Sequence, residues 1–508
     1  MDIWQNLSMG FSIAVTPTNL LFAFFGVLAG TIIGALPGIG PPTGVAILMP
    51  ITFGMNPTTA MIMLAGIYYG AMYGGTITSV LINTPGESSS VMTAVEGYQM
   101  ALKGRAGVAL GISTIGSFIA GTFGVILLMM ISPILASFAL SFGPPEYFAL
   151  LFLGLVTLTS LAGGNSVKGF MMTLSGLLLA MVGLDAITGK PRFTAGSLDL
   201  LNGFDFLPAA IGLFGVSEVL STIEGSVKVE MIKTRFRFRD VWPSASDWAA
   251  SKWAIARGTV LGFLIGVLPG AGATLASFAS YAVEKKFSRH PEEFGKGAIE
   301  GVAGPESANN SASAGALVPL LTLGVPSSAT TAILLGAMML YGLRPGPMLF
   351  DSNPELVWGL IASMYIGNVI LVILNIGMIP AFVSILKTPN SILMPLIIVF
   401  ALVGAYSSNN NMFDVWVMVG FGFAGYFLKK LDYPVAPIVL ALVLGPNTER
   451  ALRQSLIMSG GSLGIFLTRP IAAGLTGATL LVLLVPLFSL AISAARGRSA
   501  ASARPGGR

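Results

Sequence analysis

A short phrase rich in glycine and proline occurs twice in this chain. It reads Gly-Thr-Ile-Ile-Gly-Ala-Leu-Pro-Gly-Ile-Gly over residues 30–40 and Gly-Phe-Leu-Ile-Gly-Val-Leu-Pro-Gly-Ala-Gly over residues 262–272, and seven of the eleven positions are identical. Because proline removes a backbone donor and glycine permits a tight turn, each phrase is predicted to break a helix and to begin a half-helix with unpaired N–H groups. Such a helix start favours an anion. The residues predicted to bind it are Pro37, Gly38, Gly40, Pro269, Gly270 and Gly272.

The glycines of these phrases also support a second interpretation. Gly30, Gly34 and Gly38 lie four residues apart, as do their counterparts in the second phrase. This spacing is typical of small-residue ridges where two membrane helices pack closely. Broken helices at matching places in two halves of a membrane chain favour a binding site. Helix packing remains the alternative.

A second pair of proline breaks follows the phrases. Thr-Pro-Gly-Glu-Ser occupies residues 84–88 and Gly-Val-Pro-Ser-Ser occupies residues 324–328. Hydroxyl groups and backbone amides at such breaks can bind a carboxylate. An ordinary turn outside the membrane is the alternative, especially around Glu87. The predicted substrate-binding residues here are Thr84, Pro85, Gly86, Ser88, Pro326, Ser327 and Ser328.

A polar cluster precedes a long uncharged run in the second half. Residues 304–313 read Gly-Pro-Glu-Ser-Ala-Asn-Asn-Ser-Ala-Ser. Oxygen atoms of amides, carboxylates and backbone suit Na⁺, and a buried glutamate can instead carry a proton. Glu306, Asn309 and Asn310 are therefore the predicted coupling-ion residues. Helix capping at a membrane surface is the alternative.

Membrane-spanning helices must position these residues. The chain is 54% hydrophobic and only 10% charged, against about 25% charged in soluble domains. Residues 3–86 and 106–145 carry no charge at all, and an apolar run of about 20 residues crosses a bilayer. We predict an all-α polytopic membrane protein with two inverted repeats, broken helices or re-entrant hairpins, and roughly 9–12 transmembrane segments.

Charge placement predicts the organisation of the chain. The predicted parts are an N-terminal membrane repeat (1–223), a basic cytoplasmic linker (224–257), a C-terminal membrane repeat (258–495) and a basic cytoplasmic tail (496–508). The loop after the first phrase is uncharged, whereas the loop after the second contains Lys285, Lys286 and Arg289. Related sequence with opposite charge bias indicates repeats inserted in opposite senses. Basic residues on both sides of 258–283 predict a re-entrant hairpin whose tip faces protein or a water-filled cavity.

The chain contains neither a Gly-x-x-x-x-Gly-Lys-Ser/Thr loop nor a His-Glu-x-x-His motif, which gives no support for ATP hydrolysis or for that class of metalloprotease. We predict that it is not an enzyme and holds no cofactor or permanent metal, with Na⁺ or H⁺ as coupling ion. An ion or solute channel can also use re-entrant loops and is the alternative function.

Together these motifs resemble the large membrane subunit of the tripartite tricarboxylate transporter family, the TctA family. The resemblance covers nearly the whole chain and is most specific at 34–40, 83–86 with 96–98, 303–310 and 323–326. It implies a secondary carrier of tri- or dicarboxylates in the bacterial inner membrane, and analogy with related carboxylate carriers implies an elevator-like movement. It also implies two partners, an extracytoplasmic solute-binding protein and a small membrane subunit. The net charge of +5 does not indicate a nucleic-acid partner, because the basic residues lie in loops and in the tail. Ser327 departs from the glycine of the family pattern, and 305–307 varies a segment often richer in alanine.

Overall fold

The computed structural model describes residues 3–161, 165–185, 187–225, 238–270, 272–379, 381–382 and 390–484. The predicted tail and about a third of the predicted linker, 226–237, lie outside these residues. The described part is almost entirely helical, with one short hairpin of β1 (Gly183–Leu184) and β2 (Pro191–Arg192). Seven helices in it are long and apolar enough to cross a membrane, and four shorter helices are also apolar. The prediction of an all-α polytopic membrane protein is confirmed.

The described helices are numbered in chain order. In the first half they are α1 (Ile3–Ala14), α2 (Pro17–Ala35), α3 (Pro41–Leu48), α4 (Pro57–Ile82), α5 (Val91–Leu102), α6 (Ala106–Ala139), α7 (Pro144–Leu161), α8 (Ser166–Ala180), α9 (Phe206–Ala210) and α10 (Ser217–Glu224). A π-helical stretch, Ile211–Val216, joins the last two. In the second half they are α11 (Ala245–Val267), α12 (Gly272–Phe287), α13 (Glu300–Leu323), α14 (Ala329–Leu340), α15 (Leu349–Ser352), α16 (Pro354–Gly377), α17 (Asn390–Asn409), α18 (Met412–Lys430), α19 (Ala436–Met458), α20 (Ile465–Thr468) and α21 (Pro470–Leu484).

Each repeated phrase forms a hairpin tip between two helices. Leu36 and Leu268, which precede the prolines, are both extended and end α2 and α11, because a residue before proline is pushed out of the helical region. Gly38 and Gly270 then take almost the same left-handed backbone angle, φ +84° and +83°. The predicted helix breaks are therefore present in both halves with matching local geometry.

The glycines before each tip serve close helix packing. A Cβ atom placed on Gly34 would lie 2.1 Å from the carbonyl oxygen of Ala71 in α4, and one on Gly266 would lie 2.3 Å from that of Ala312 in α13. Helix α2 thus packs backbone to backbone on α4, as α11 does on α13. Both interpretations of the phrase hold, but for different residues. Its first glycines allow close helix packing, and its later glycines form the turn.

Replacing Gly266 with alanine is expected to lower the thermal unfolding midpoint of the purified protein. The added methyl group meets a fixed backbone oxygen, and overpacking of this kind costs about 1–3 kcal/mol. The midpoint can be followed by size-exclusion chromatography of heated, detergent-solubilised samples. Gly420→Ala is the matched control, because a Cβ atom on Gly420 in α18 meets nothing within 4 Å. A midpoint for Gly266→Ala equal to that of the control would contradict the packing argument.

Two contacts between the halves mirror each other. In one, the segment after α3 meets the end of α14, and in the other, the segment after α12 meets the end of α5. Beyond α3, Thr52 accepts a hydrogen bond at its carbonyl oxygen from the Tyr341 hydroxyl at the end of α14, at 2.6 Å. Beyond α12, the carbonyl oxygen of Lys296 accepts one from Lys103 Nζ at the end of α5, also at 2.6 Å. Such reciprocal contacts are expected between inverted repeats. The boundaries of the two repeats stay a prediction.

Candidate functional site

The tip of the second hairpin lies against the second break of its own half. The backbone N–H of Gly270 donates to the carbonyl oxygen of Ser327 at 3.0 Å. Ser328 is the N-cap of α14 and accepts from the Thr331 N–H at 3.2 Å. A Cβ atom on Gly272, the first residue of α12, would lie 3.8 Å from Cβ of Ser328. The starts of two half-helices, α12 and α14, therefore lie side by side.

The break of the first half reaches the same place. Gly86 is held so tightly that a Cβ atom would lie 1.9 Å from the carbonyl oxygen of Gly34, so no other residue fits there. Ser88 Oγ lies 2.8 Å from Thr274 Oγ1 in the first turn of α12. Three of the four predicted segments, 84–88, 269–272 and 325–328, are thus brought together. Gly86 and its neighbour Glu87 are buried, which does not fit a turn outside the membrane.

The first hairpin tip has different surroundings. Leu36 and Ile39 pack with Val219 of α10 and Met394 of α17. A Cβ atom on Gly38 would lie 2.7 Å from a carboxylate oxygen of Glu218. No hydrogen bond joins this tip to the second tip among the described residues. Gly38 therefore borders a carboxylate, and the anion-binding role of Pro37, Gly38 and Gly40 stays a prediction.

Two buried carboxyl groups lie beside the converging segments. Glu306 in α13 has no exposed surface, and Glu87 is 8% exposed. Glu306 accepts hydrogen bonds from Thr93 Oγ1 of α5 and, at 3.3 Å, from Asn309 Nδ2. Glu87 accepts one from Ser89 Oγ. Burying an unneutralised carboxylate is costly, so a proton or a cation at either group would be stabilising.

The asparagines next to Glu306 are structural partners inside the protein. Nδ2 of Asn310 donates to Ser117 Oγ at 2.8 Å and to Asn309 Oδ1 at 2.6 Å. Both asparagines are buried in the middle of α13. They therefore do not cap a helix at a membrane surface. The structure thus places all three predicted coupling-ion residues in one buried polar cluster.

Residues that the sequence motifs did not single out enclose a small cavity next to this cluster. The cavity holds about 20 Å³ and its lining includes Tyr69, Tyr73, Asn310, Ser313 and Asn368, which is room for one water-sized group. The Tyr73 hydroxyl donates to Asn368 Oδ1 at 2.6 Å, whereas the Tyr69 hydroxyl is buried with no partner in the described part of the chain. A polar residue such as Asn368 inside an apolar helix was the available signal.

Glu96 is a further buried carboxylate that joins the two halves. It accepts hydrogen bonds from the backbone N–H groups of Gly295, Gly297 and Ala298 at 2.5, 2.7 and 2.9 Å, and from the Tyr281 hydroxyl at 2.7 Å. Four donors use the lone pairs of this group fully. Its place is therefore structural: it fixes α5 to the segment between α12 and α13.

A Gly-x-Ser-x-Gly sequence at 460–464 has a different setting from the hydrolase motif of that form. The hydrolase serine stands on a sharp turn between a strand and a helix. Ser462 instead lies in an exposed loop between α19 and α20, and its hydroxyl accepts from the Gly464 N–H at 3.2 Å. This loop offers no support for an esterase site.

Comparison with known proteins gives consistent results. The family model described as "Tripartite tricarboxylate transporter TctA family" matches residues 20–440. An Agrobacterium vitis protein described as "Uncharacterized 52.8 kDa protein in TAR-I ttuC' 3'region" is 50% identical over 489 residues, which cover 96% of this chain and 97% of that protein. Another from the same organism, "Uncharacterized protein in TAR-II ttuC' 3'region", is 51% identical over 227 residues, which cover 45% of this chain and 94% of that protein. No solved structure matches this chain.

Proposed function

This chain belongs to the tripartite tricarboxylate transporter TctA family, and on that basis we propose that it is the membrane subunit that carries tri- or dicarboxylates inward by secondary transport. The observation that carries the proposal is the meeting of two half-helix starts, α12 and α14. The positive dipole ends of both helices favour a carboxylate, and the capping box of α14 pairs the Thr331 N–H with Ser328 Oγ. Within the described part of the chain Ser327 Oγ is buried there without a partner, and the Ser88 and Thr274 hydroxyls lie at the rim. These neutral donors suit an anion site inside a membrane protein.

We propose that the coupling ion is bound at the buried cluster of Glu306, Asn309 and Asn310, with Glu87 beside it. A Na⁺ ion there would be stabilised by carboxylate and amide oxygens, and a proton would neutralise one carboxyl group. Either ion offsets the cost of burying these carboxyl groups. Because the cluster adjoins the anion site, ion and substrate would stabilise each other's binding.

The proposed partners are an extracytoplasmic solute-binding protein and a small membrane subunit, in the bacterial inner membrane with the C-terminus cytoplasmic. Family membership supports both partners. Lysines at the Lys103 end of the helices, including Lys285, Lys286 and Lys296, support a cytoplasmic position for that end. An elevator-like movement of the hairpin-bearing helices is proposed from analogy with other carboxylate carriers.

Counterflow of radiolabelled citrate and succinate in proteoliposomes tests the function. The chain is reconstituted with its small subunit and binding protein, with and without a Na⁺ or pH gradient. Saturable uptake that requires the binding protein supports the carrier, and the gradient that drives it identifies the coupling ion. Uptake that stays linear with concentration would favour a channel. If folded protein transports neither anion, the substrate proposal fails.

A further inference from the structure

A large cavity opens at the Thr52 end of the helices, opposite to the Lys103 end. It holds about 970 Å³, and its lining includes Tyr147 and Leu151 of α7, Gly324, Arg344 and Arg450. Ligand sites in proteins commonly have volumes of about 300–1,000 Å³. We call this cavity the vestibule. Two arginines in its wall stand out in a chain whose apolar segments contain few cations.

Backbone contacts fix the position of Arg344 in the vestibule. The next residues of its loop are anchored to the end of α13, because the Gly346 N–H donates to the carbonyl oxygen of Leu321 at 3.1 Å. The carbonyl oxygen of Pro345 would lie 2.8 Å from a Cβ atom on Gly324. The guanidinium is therefore carried by a segment packed directly on the second break.

Arg450 extends into the vestibule from α19 together with two amides. Asn447, Arg450 and Gln454 all line the cavity, and their spacing places them on one helix face. This face offers a charged donor flanked by neutral hydrogen-bonding groups. Such a combination suits an anion with several carboxylates.

The other arginines near Arg450 are already neutralised. Arg453 contacts Asp185 at 2.7 Å, and Arg192 contacts Glu449 at 2.7 Å. The backbone N–H of Thr188 and the guanidinium of Arg453 hold the pKa of Asp185 below its ordinary value, so this carboxylate stays charged. Among the described residues, by contrast, Arg344 and Arg450 form no ion pair. Two positive charges are therefore free to attract an anion.

The floor of the vestibule adjoins the converging helix starts. Leu151 lines the vestibule, and Gly154 follows about one turn later on α7. A Cβ atom on Gly154 would lie 3.1 Å from a methyl group of Val325 and 4.0 Å from Pro269. One turn of helix thus separates the arginine-lined cavity from the proposed substrate site.

We propose that Arg344 and Arg450 form an entry subsite that binds the carboxylates of the incoming anion before it reaches the starts of α12 and α14. This inference rests on the proposed function and adds a second, outer binding place to it. The subsite acts by attraction in a water-filled space, so it raises the local concentration of substrate. It therefore affects the KM for uptake and leaves the maximal rate nearly unchanged.

The test compares Arg344→Gln, Arg450→Gln and the double variant with the wild-type protein. Uptake of radiolabelled citrate and succinate is measured over a range of concentrations in proteoliposomes, and citrate binding is measured by scintillation proximity. The double variant is expected to raise the KM and the Kd for citrate roughly three- to tenfold, with a smaller rise for succinate. Choline chloride at about 0.5 M should remove most of the difference by screening.

Lys190→Gln is the matched control, because Lys190 is an exposed cation in the turn that joins β1 and β2 and does not line the vestibule. An equal rise in KM in this control would overturn the subsite, since general surface charge would explain it. An unchanged KM and Kd in the double variant would also overturn it. So would a loss confined to binding-protein-stimulated uptake, which would mean that the arginines dock the partner. If the wild-type protein transports neither anion, the proposed function fails, and unchanged citrate binding in the double variant would then overturn the subsite separately.

Discussion

Replacing Glu306 with glutamine is expected to lower gradient-driven citrate uptake about 100-fold while the protein remains in the membrane. The side chain is fully buried and accepts from Thr93 and Asn309, so the charge of the carboxylate is held by a prepared set of donors. Glutamine keeps the shape but removes the charge that a cation or proton requires. Losing about two charge-assisted interactions of ~1.5 kcal/mol each corresponds to a factor of about 100. Initial uptake rates in proteoliposomes with equal protein content measure the effect.

The pattern of the remaining activity distinguishes the two coupling ions. With proton coupling, the glutamine variant should still exchange labelled for unlabelled citrate, now independently of pH. With Na⁺ coupling, exchange itself should fail because the ion needed for substrate binding is absent. Glu355→Gln is the control, since Glu355 is exposed in the first turn of α16. Near-normal accumulation by the Glu306 variant would contradict the assigned role.

The hairpin tips could be predicted from the sequence because their cause is local. Proline restricts the residue before it, which is why Leu36 and Leu268 end their helices, and only glycine takes the following left-handed angle easily. The dual use of the phrase could not be predicted. Whether a glycine packs a helix or makes a turn depends on what lies opposite, and the carbonyl oxygens of Ala71 and Ala312 are 37 and 46 residues away from the glycines they face.

The assembly of the site could be predicted only in part. The sequence marked Glu306, but Thr93, which donates to it, lies 213 residues earlier in the chain. The hydrogen bond between Tyr73 and Asn368 joins residues 295 positions apart, and no local sequence pattern predicts it. The first tip shows the same limit: its neighbour Glu218 is brought there by the packing of α10. Helix breaks can be predicted from local sequence. The side chains that contact them depend on how the two halves pack together.

Replacing Gly270 with leucine is expected to abolish citrate uptake without removing the protein from the membrane, and Gly38→Leu is expected to do the same. Both glycines have φ values near +84°, +83° for Gly270 and +84° for Gly38, where a residue with a side chain costs about 1–2 kcal/mol. At Gly270 a shift of the backbone also breaks the hydrogen bond to Ser327 and separates the starts of α12 and α14. Counterflow in proteoliposomes measures the loss, and membrane content is checked on the same samples.

Gly189→Leu is the matched control, because Gly189 has φ +66° with nothing within 4 Å of an added Cβ atom. The Gly189→Leu variant has similar backbone strain in the β1–β2 turn. Normal uptake by this variant would show that strain alone does not stop transport. The two tip variants then separate two explanations. Loss in both supports a site that needs both hairpins, although Gly38 faces the flexible side chain of Glu218. Loss in Gly270→Leu alone would confine the substrate site to the second hairpin, and normal uptake in both would remove the hairpin tips from the site.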